Sequence, residues 1–180
     1  MNDYHARLVK LLQKDRLRLR VLECVSELAL PDCLLAAGFV RNMVWDYLHK
    51  ISPPTPLSDV DVIYFDQQQG AATESSLQSI LLEQMPDVNW QVKNQARIHE
   101  RNSDRPYTST LDAMRHWPEK ETAVGMRKAE SGKIECISAF GFESLFRGEL
   151  THNPKRLRSV FDQRVAEKCW LDTWPDLQVA

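Results

Sequence analysis

Apolar residues recur at helical spacing through the first thirty positions. Leu8, Leu11 and Leu12, then Leu19, Leu22, Val25 and Leu28, predict two amphipathic helices over residues 3–29, with Asp15 as the N-cap of the second. Pro31 ends that region, and the continuous apolar run 33–37 predicts a short buried strand. Gly38 breaks the run, and Val40, Met43, Val44, Tyr47 and Leu48 restore a helical period over 39–49. A proline-rich loop, 52–57, leads into the β-branched and aromatic run Val60 to Phe65, a second strand. Beyond it the pattern predicts a loop over 67–73, a helix over 74–84 and a third strand over 89–93. Segment 94–121 is polar and mixed, with a short helix around 109–116. Runs 122–127 and 133–138 flank Glu130-Ser131-Gly132 as a hairpin. Helices from about Phe142 and over 154–167 close the chain, and Trp170 and Trp174 are expected to dock its tail on the core. Strands alternating with helices indicate an α/β (or α+β) fold. The 180 residues are expected to form one domain: a helical segment 1–30, a core 31–139 and C-terminal helices 140–180.

Composition narrows the class. With 43% hydrophobic and 27% charged residues, the chain has enough apolar content for a true core. A net charge of −2 gives no global basic field for nucleic acid, although a local basic groove is compatible with it. The stretch 14–20, with Lys14, Arg16, Arg18 and Arg20, is either such a patch or the wet face of an amphipathic helix. The N-terminus carries Asp3 and lacks an apolar core, so no secretory signal is expected, and no apolar run is long enough for a membrane helix. Four scattered cysteines (Cys24, Cys33, Cys136, Cys169), with no Cys-x-x-Cys, point to reduced thiols and a cytoplasmic protein.

The chemistry concentrates at Ser58-Asp59-Val60-Asp61. On a strand Asp59 and Asp61 point the same way, with Cα atoms roughly 6.6 Å apart. Two like charges on one side of a buried strand repel unless a cation lies between them, and Mg²⁺, a hard cation, takes oxygen ligands. An isolated Asp-x-Asp also occurs where the pair caps a turn or lies on a wet strand edge. What separates the readings lies upstream: strand, Gly38 and helix start form a phosphate-ready turn, because free N–H groups at a helix start attract anions. Together the two segments make an apparatus for a nucleoside triphosphate. Gly38, Arg41, Asn42 and Ser58 would meet phosphates, while Asp59 and Asp61 would hold Mg²⁺, with two ions an option for in-line displacement at the α-phosphorus.

This combination resembles the nucleotidyltransferase superfamily typified by DNA polymerase β, and more closely a bacterial nucleotidyltransferase-like family. Three further stretches carry the likeness: 90–99, from Trp90 to His99; Thr122-Ala123-Val124-Gly125-Met126-Arg127; and Lys168-Cys169-Trp170 with Trp174-Pro175. The resemblance covers nearly the whole chain. It implies a mixed sheet flanked by helices, and transfer of a nucleoside monophosphate from a triphosphate to an acceptor that the likeness does not specify. The alternative is a non-catalytic nucleotide-binding or regulatory module on the same fold. Two departures bear on that choice. Phe39 stands where the superfamily has a second small residue, and the strand 88–92 lacks the superfamily's third carboxylate, offering only Asn89 or Gln91, with Asp66 and Asp87 nearby. An amide is a weaker metal ligand than a carboxylate and a poor general base.

Lys93, Asn94, Gln95 and Arg97 form a dense polar run at a strand end. Lys93 and Arg97 would neutralise triphosphate charge, or the run is a hydrogen-bonded link between strand and helix. Arg41 likewise either meets phosphate or pairs with Asp59 or Asp61. His99 and His116 are isolated, and no His/Cys spacing suggests zinc. Gly-x-Gly-x-x-Gly and Walker A patterns are absent. Trp45, Trp90 and Trp117 are expected in the core.

Overall fold

A computed structural model describes residues 3–180; Met1 and Asn2, the first residues of the N-terminus expected to be non-secretory, lie outside the described residues. Helices α1 (Tyr4–Leu12) and α2 (Arg16–Ser26) begin as their sequence requires. The Asp3 and Asp15 carboxylates each accept a backbone N–H three residues on, at 3.0 and 2.9 Å, satisfying donors that a helix start leaves open. Five strands follow among the helices: β1 (Leu34–Ala36), β2 (Val60–Tyr64), β3 (Trp90–Asn94), β4 (Val124–Lys128) and β5 (Ile134–Ser138). They form one mixed sheet in the order β3-β2-β1-β4-β5. β2 and β3 are parallel and the other pairs antiparallel, so the expected mixed sheet is present.

Each strand turns one set of side chains to each face. On one face lies the large apolar cluster, with Leu8 and Leu12 of α1, Val21 and Val25 of α2, Val60 and Val62 of β2, and Phe39, Val44 and Trp45 of α3 (Gly38–Leu48). Leu81 of α4 (Ala71–Gln84) joins it. The other face carries a thinner cluster of Leu34, Ala36, Ile63, Met114 and Ala123 under the short helix α6 (Thr110–Met114). Asp32, at the entry to β1, pins α6 there by accepting Thr110 N–H and Oγ1–H at 2.7 and 2.6 Å. Another short helix, α5 (Ile98–Asn102), precedes it.

The chain ends with α7 (Glu143–Phe146), α8 (Arg158–Lys168) and α9 (Trp170–Thr173). Two short parallel strands, β6 (Glu149–Leu150) and β7 (Gln178–Val179), are not visible in the sequence pattern. Helix α8 starts four residues later than 154–167 predicts. Segment 154–157 is instead a strap, because Arg156 is drawn across to Asp104 and the His116 carbonyl. Trp170 and Trp174 are buried in the large cluster, as expected of the tail. Trp174 Nε1 donates to Asp46 of α3 at 2.9 Å, and the other Asp46 oxygen accepts Thr55 N–H and Oγ1–H at 2.9 Å each. The tail, α3 and the proline-rich loop are thereby joined at one buried carboxylate. Among the described residues no helix is long and apolar enough to cross a membrane.

Candidate active site

Strand directions determine which predicted residues meet. β1 runs antiparallel to both β2 and β4, pairing Ala36 with Asp61 and with Gly125. The C-terminal end of β1, the start of α3 and the N-terminal ends of β2, β3 and β4 therefore share one end of the sheet. Asp59 and Asp61 lie there, Asp59 exposed and Asp61 half-buried, with the exposed Ser58 just before them.

The passage from β1 into α3 has no intervening loop. Ala37 takes φ 54° and ψ −121°, a left-handed backbone state unusual for a residue with a Cβ, and its N–H donates to Val124 at 2.9 Å. Gly38 is the first helical residue. A Cβ there would meet Asn42 Nδ2 at 3.4 Å and Arg41 Nη2 at 3.6 Å, so the missing side chain keeps the helix start open beneath those groups. No side chain caps that start, which leaves backbone donors for an anion. Phe39 does not obstruct it. Its ring is fully buried in the core, and its carbonyl accepts Arg18 Nε–H at 2.8 Å. That bond, with the Arg18–Asp15 ion pair, removes Arg18 from any basic patch on 14–20.

Arg41 is held from within the fold. Its side chain is buried, and its hydrogen bonds are internal: Nη1–H to Thr122 Oγ1 at 2.7 Å, and Nε–H and Nη2–H to Asn42 Oδ1 at 3.2 and 3.0 Å. The guanidinium also stacks on Trp45 and Trp170, 4.9 and 4.5 Å from their ring centres. Arg41 thus ties α3, the approach to β4 and the C-terminal tail together. Burial lowers its pKa to about 10, with the nearby Glu119, Asp61 and Glu121 charges opposing that shift and Arg164 adding to it. It remains a cation at neutral pH and acts on the site as a fixed charge.

Lys93 and Arg97 are also placed elsewhere. β3 is parallel to β2, so Lys93 stands beside Ile63, beyond the Asp61–Gln91 pair, and Arg97 lies past the strand's far end. Arg97 pairs with Glu74 at 2.7 Å and donates to the Gln69 carbonyl at 2.8 Å; Lys93 lies 3.6 Å from Glu74. Asn94 accepts Asp66 N–H and donates to its carbonyl. The polar run is a link between strand and helix, and the structure does not bring its cations to the aspartates.

Beside the aspartates stand two amides. Asn89 Nδ2 donates to Asp59 Oδ1 at 2.7 Å, and Gln91 neighbours Asp61 across the strand pair. Among the described residues no group of three His, Cys, Asp or Glu side chains could hold a metal ion. Burial, and then the Asp59 charge, push the Asp61 pKa up, while Arg41, Lys168 and Arg164 pull it down. Two carboxylates that disfavour joint ionisation are a donor set that a hard divalent cation fits. Mg²⁺ is commonly held by one or two carboxylates with substrate phosphates completing its shell, so the residues present suffice. Sequence reasoning missed the groups behind this site. Glu119, fully buried, pairs with Arg164 at 2.5 Å, and buried Glu121 accepts Thr151 N–H at 2.7 Å. They lie more than fifty residues from Asp61 and form no motif with it.

Comparison with known proteins bears on this geometry. A family model described as nucleotidyltransferase matches residues 23–179. The chain belongs to that family. Among solved structures, one reported as revealing a CCA-adding enzyme head domain superposes with a TM-score of 0.86 at 30% identity, covering 96% of this chain and 94% of the other. A CCA-adding enzyme in complex with CTP matches at a TM-score of 0.62 and 12% identity, and a tRNA-processing enzyme complex at 0.54 and 15%. These two share the fold, and this chain spans 43% of the length of each. No curated protein matches the sequence.

Proposed function

We propose that the protein is a Mg²⁺-dependent nucleotidyltransferase that moves a nucleoside monophosphate from a nucleoside triphosphate to an acceptor hydroxyl. The observation that carries this reading is the convergence of Asp59, Asp61 and the uncapped start of α3 at one end of the sheet. Asp59 and Asp61 would hold the metal, which when bound supplies Lewis-acid stabilisation of charge on the phosphates. The protein's part is binding and orientation. Backbone N–H groups at the uncapped start of α3 would face a phosphate, Asn42 and Ser58 would border it, and the fixed Arg41 charge would favour an anion nearby. The acceptor oxygen forms a bond to the α-phosphorus while the bond to pyrophosphate breaks. Reduced cysteines and the triphosphate substrate suit work in the cytoplasm.

A second reading has its own support. Asn89 and Gln91, the residues offered where the superfamily's third carboxylate is expected, are amides and poor general bases, and Asn89 instead donates to Asp59. A nucleotide-binding or regulatory module would bind metal–nucleotide and transfer nothing. The test is transfer of α-³²P label, with pyrophosphate release, across RNA 3′ ends, small-molecule hydroxyls and protein acceptors, for parent and Asp61→Asn. Label transfer lost in the variant supports the enzyme. Metal-dependent binding with no transfer to any acceptor supports the module.

A further inference from the structure

Arg41 is committed to internal bonds, and Lys93 and Arg97 serve Glu74 beyond the far end of β3, so the cations expected beside the phosphates must come from elsewhere. Helix α8 carries two candidates, of which one is uncommitted. Arg164 and Lys168 are four residues apart and so lie on one helix face. Arg164 is held by the buried Glu119 through two parallel contacts, Nε–Oε1 at 2.5 Å and Nη2–Oε2 at 3.2 Å, and the segment after Glu119 leads into β4 at the aspartate end of the sheet. Lys168 is the last residue of α8. Cys169 then turns the chain with φ 50°, and Trp170 lies buried on the Arg41 guanidinium at the start of α3. Lys168 is exposed, and among the described residues it has no hydrogen bond or ion pair.

We infer that Lys168, at the end of α8, is a counter-charge for the triphosphate and binds phosphate directly, while the Arg164–Glu119 ion pair anchors the helix that presents it. This rests on the nucleotide-site reading above and names residues that reading did not contain. A lysine in the last turn of a helix also complements the helix dipole, so the test needs a readout that such a role does not move.

The full chain is titrated with the α,β-methylene analogues of the four nucleoside triphosphates and with the matching monophosphates, in Mg²⁺, at two salt concentrations. Lys168→Ala should weaken triphosphate binding about tenfold or more, as expected for a charge-assisted contact, and flatten its salt dependence. Monophosphate affinity should stay within about twofold, and Lys168→Arg should restore most of the loss. Arg164→Ala strands the buried Glu119 charge and can unfold the chain, so the Lys168 variants carry the test. If Lys168→Ala leaves triphosphate affinity intact, or weakens both ligands equally, while Asp61→Asn still removes metal-dependent binding, the inference fails and the site stands. If the parent binds no triphosphate with Mg²⁺, the site reading fails and takes the inference with it.

Discussion

Truncating Trp174 probes the joint that holds the tail, α3 and the approach to Asp59 together. Trp174 is 4% exposed, lies 5.1 Å from the Trp45 ring in an edge-on arrangement, and donates to the buried Asp46. Trp174→Ala removes the ring and the donor together, and large aromatic truncations in a core cost about 3–5 kcal/mol. Trp174→Phe keeps most of the packing and removes the donor. One Asp46 oxygen then loses its protein partner while the other keeps both Thr55 bonds, a cost of about 1–2 kcal/mol. For a chain of this length each kcal/mol moves Tm by about 2–4 °C. Trp174→Ala should therefore melt roughly 6–20 °C below the parent and Trp174→Phe roughly 2–8 °C below, by calorimetry or circular dichroism. If both variants melt within about 3 °C of the parent, the tail is not the clamp described here.

Three further outcomes follow from the same structure. Asp61 carries a raised pKa, so its ionised form opposes folding at neutral pH; in EDTA, Asp61→Asn should melt above the parent at pH 7.5, and the gain should shrink as pH falls toward the unfolded value of 3.8, whereas no gain at pH 7.5 would contradict the burial described. The Arg156 hydrogen bonds hold the Asp104 pKa at about 2 against burial, so that pair should contribute about 1 kcal/mol above pH 4 and lose it as pH falls toward 2; denaturant midpoints of parent and Asp104→Asn should converge there. Gly125→Ala would place a Cβ 3.2 Å from Leu34 Cβ and 3.3 Å from the Leu35 carbonyl oxygen, neither the end of a flexible side chain, and should lower stability by about 1–3 kcal/mol; an unchanged urea midpoint would show that β1 and β4 can separate.

Local structure was legible where short-range chemistry decides it. Asp15 caps α2, the apolar run at 34–36 is a strand, and the run after Asp59 is the buried strand β2. The aspartates and the glycine at the helix start could be paired from sequence because one strand and one turn carry them. What was not legible depends on strand direction and on contacts far apart in the chain. The parallel pairing of β2 and β3 carries Lys93 and Arg97 away from Asp59, which residue types alone do not reveal. Arg41 resembled a phosphate ligand until Thr122, eighty-one residues on, and Trp170 enclosed it. Arg164 meets Glu119, forty-five residues away, only because the tail folds back on α3. The stretch 14–20 read as a charged face or a basic patch, yet its central arginine is 2% exposed.

The central claim is that Asp59 and Asp61 form a metal–nucleotide site, and calorimetric titration of non-hydrolysable nucleoside triphosphates tests it most directly. The parent should bind at least one of them in Mg²⁺ and lose that binding in EDTA, while Asp59→Asn and Asp61→Asn, shown folded by circular dichroism, should lose the metal dependence. Either variant binding the metal–nucleotide as the parent does, or a parent indifferent to Mg²⁺, would contradict the site.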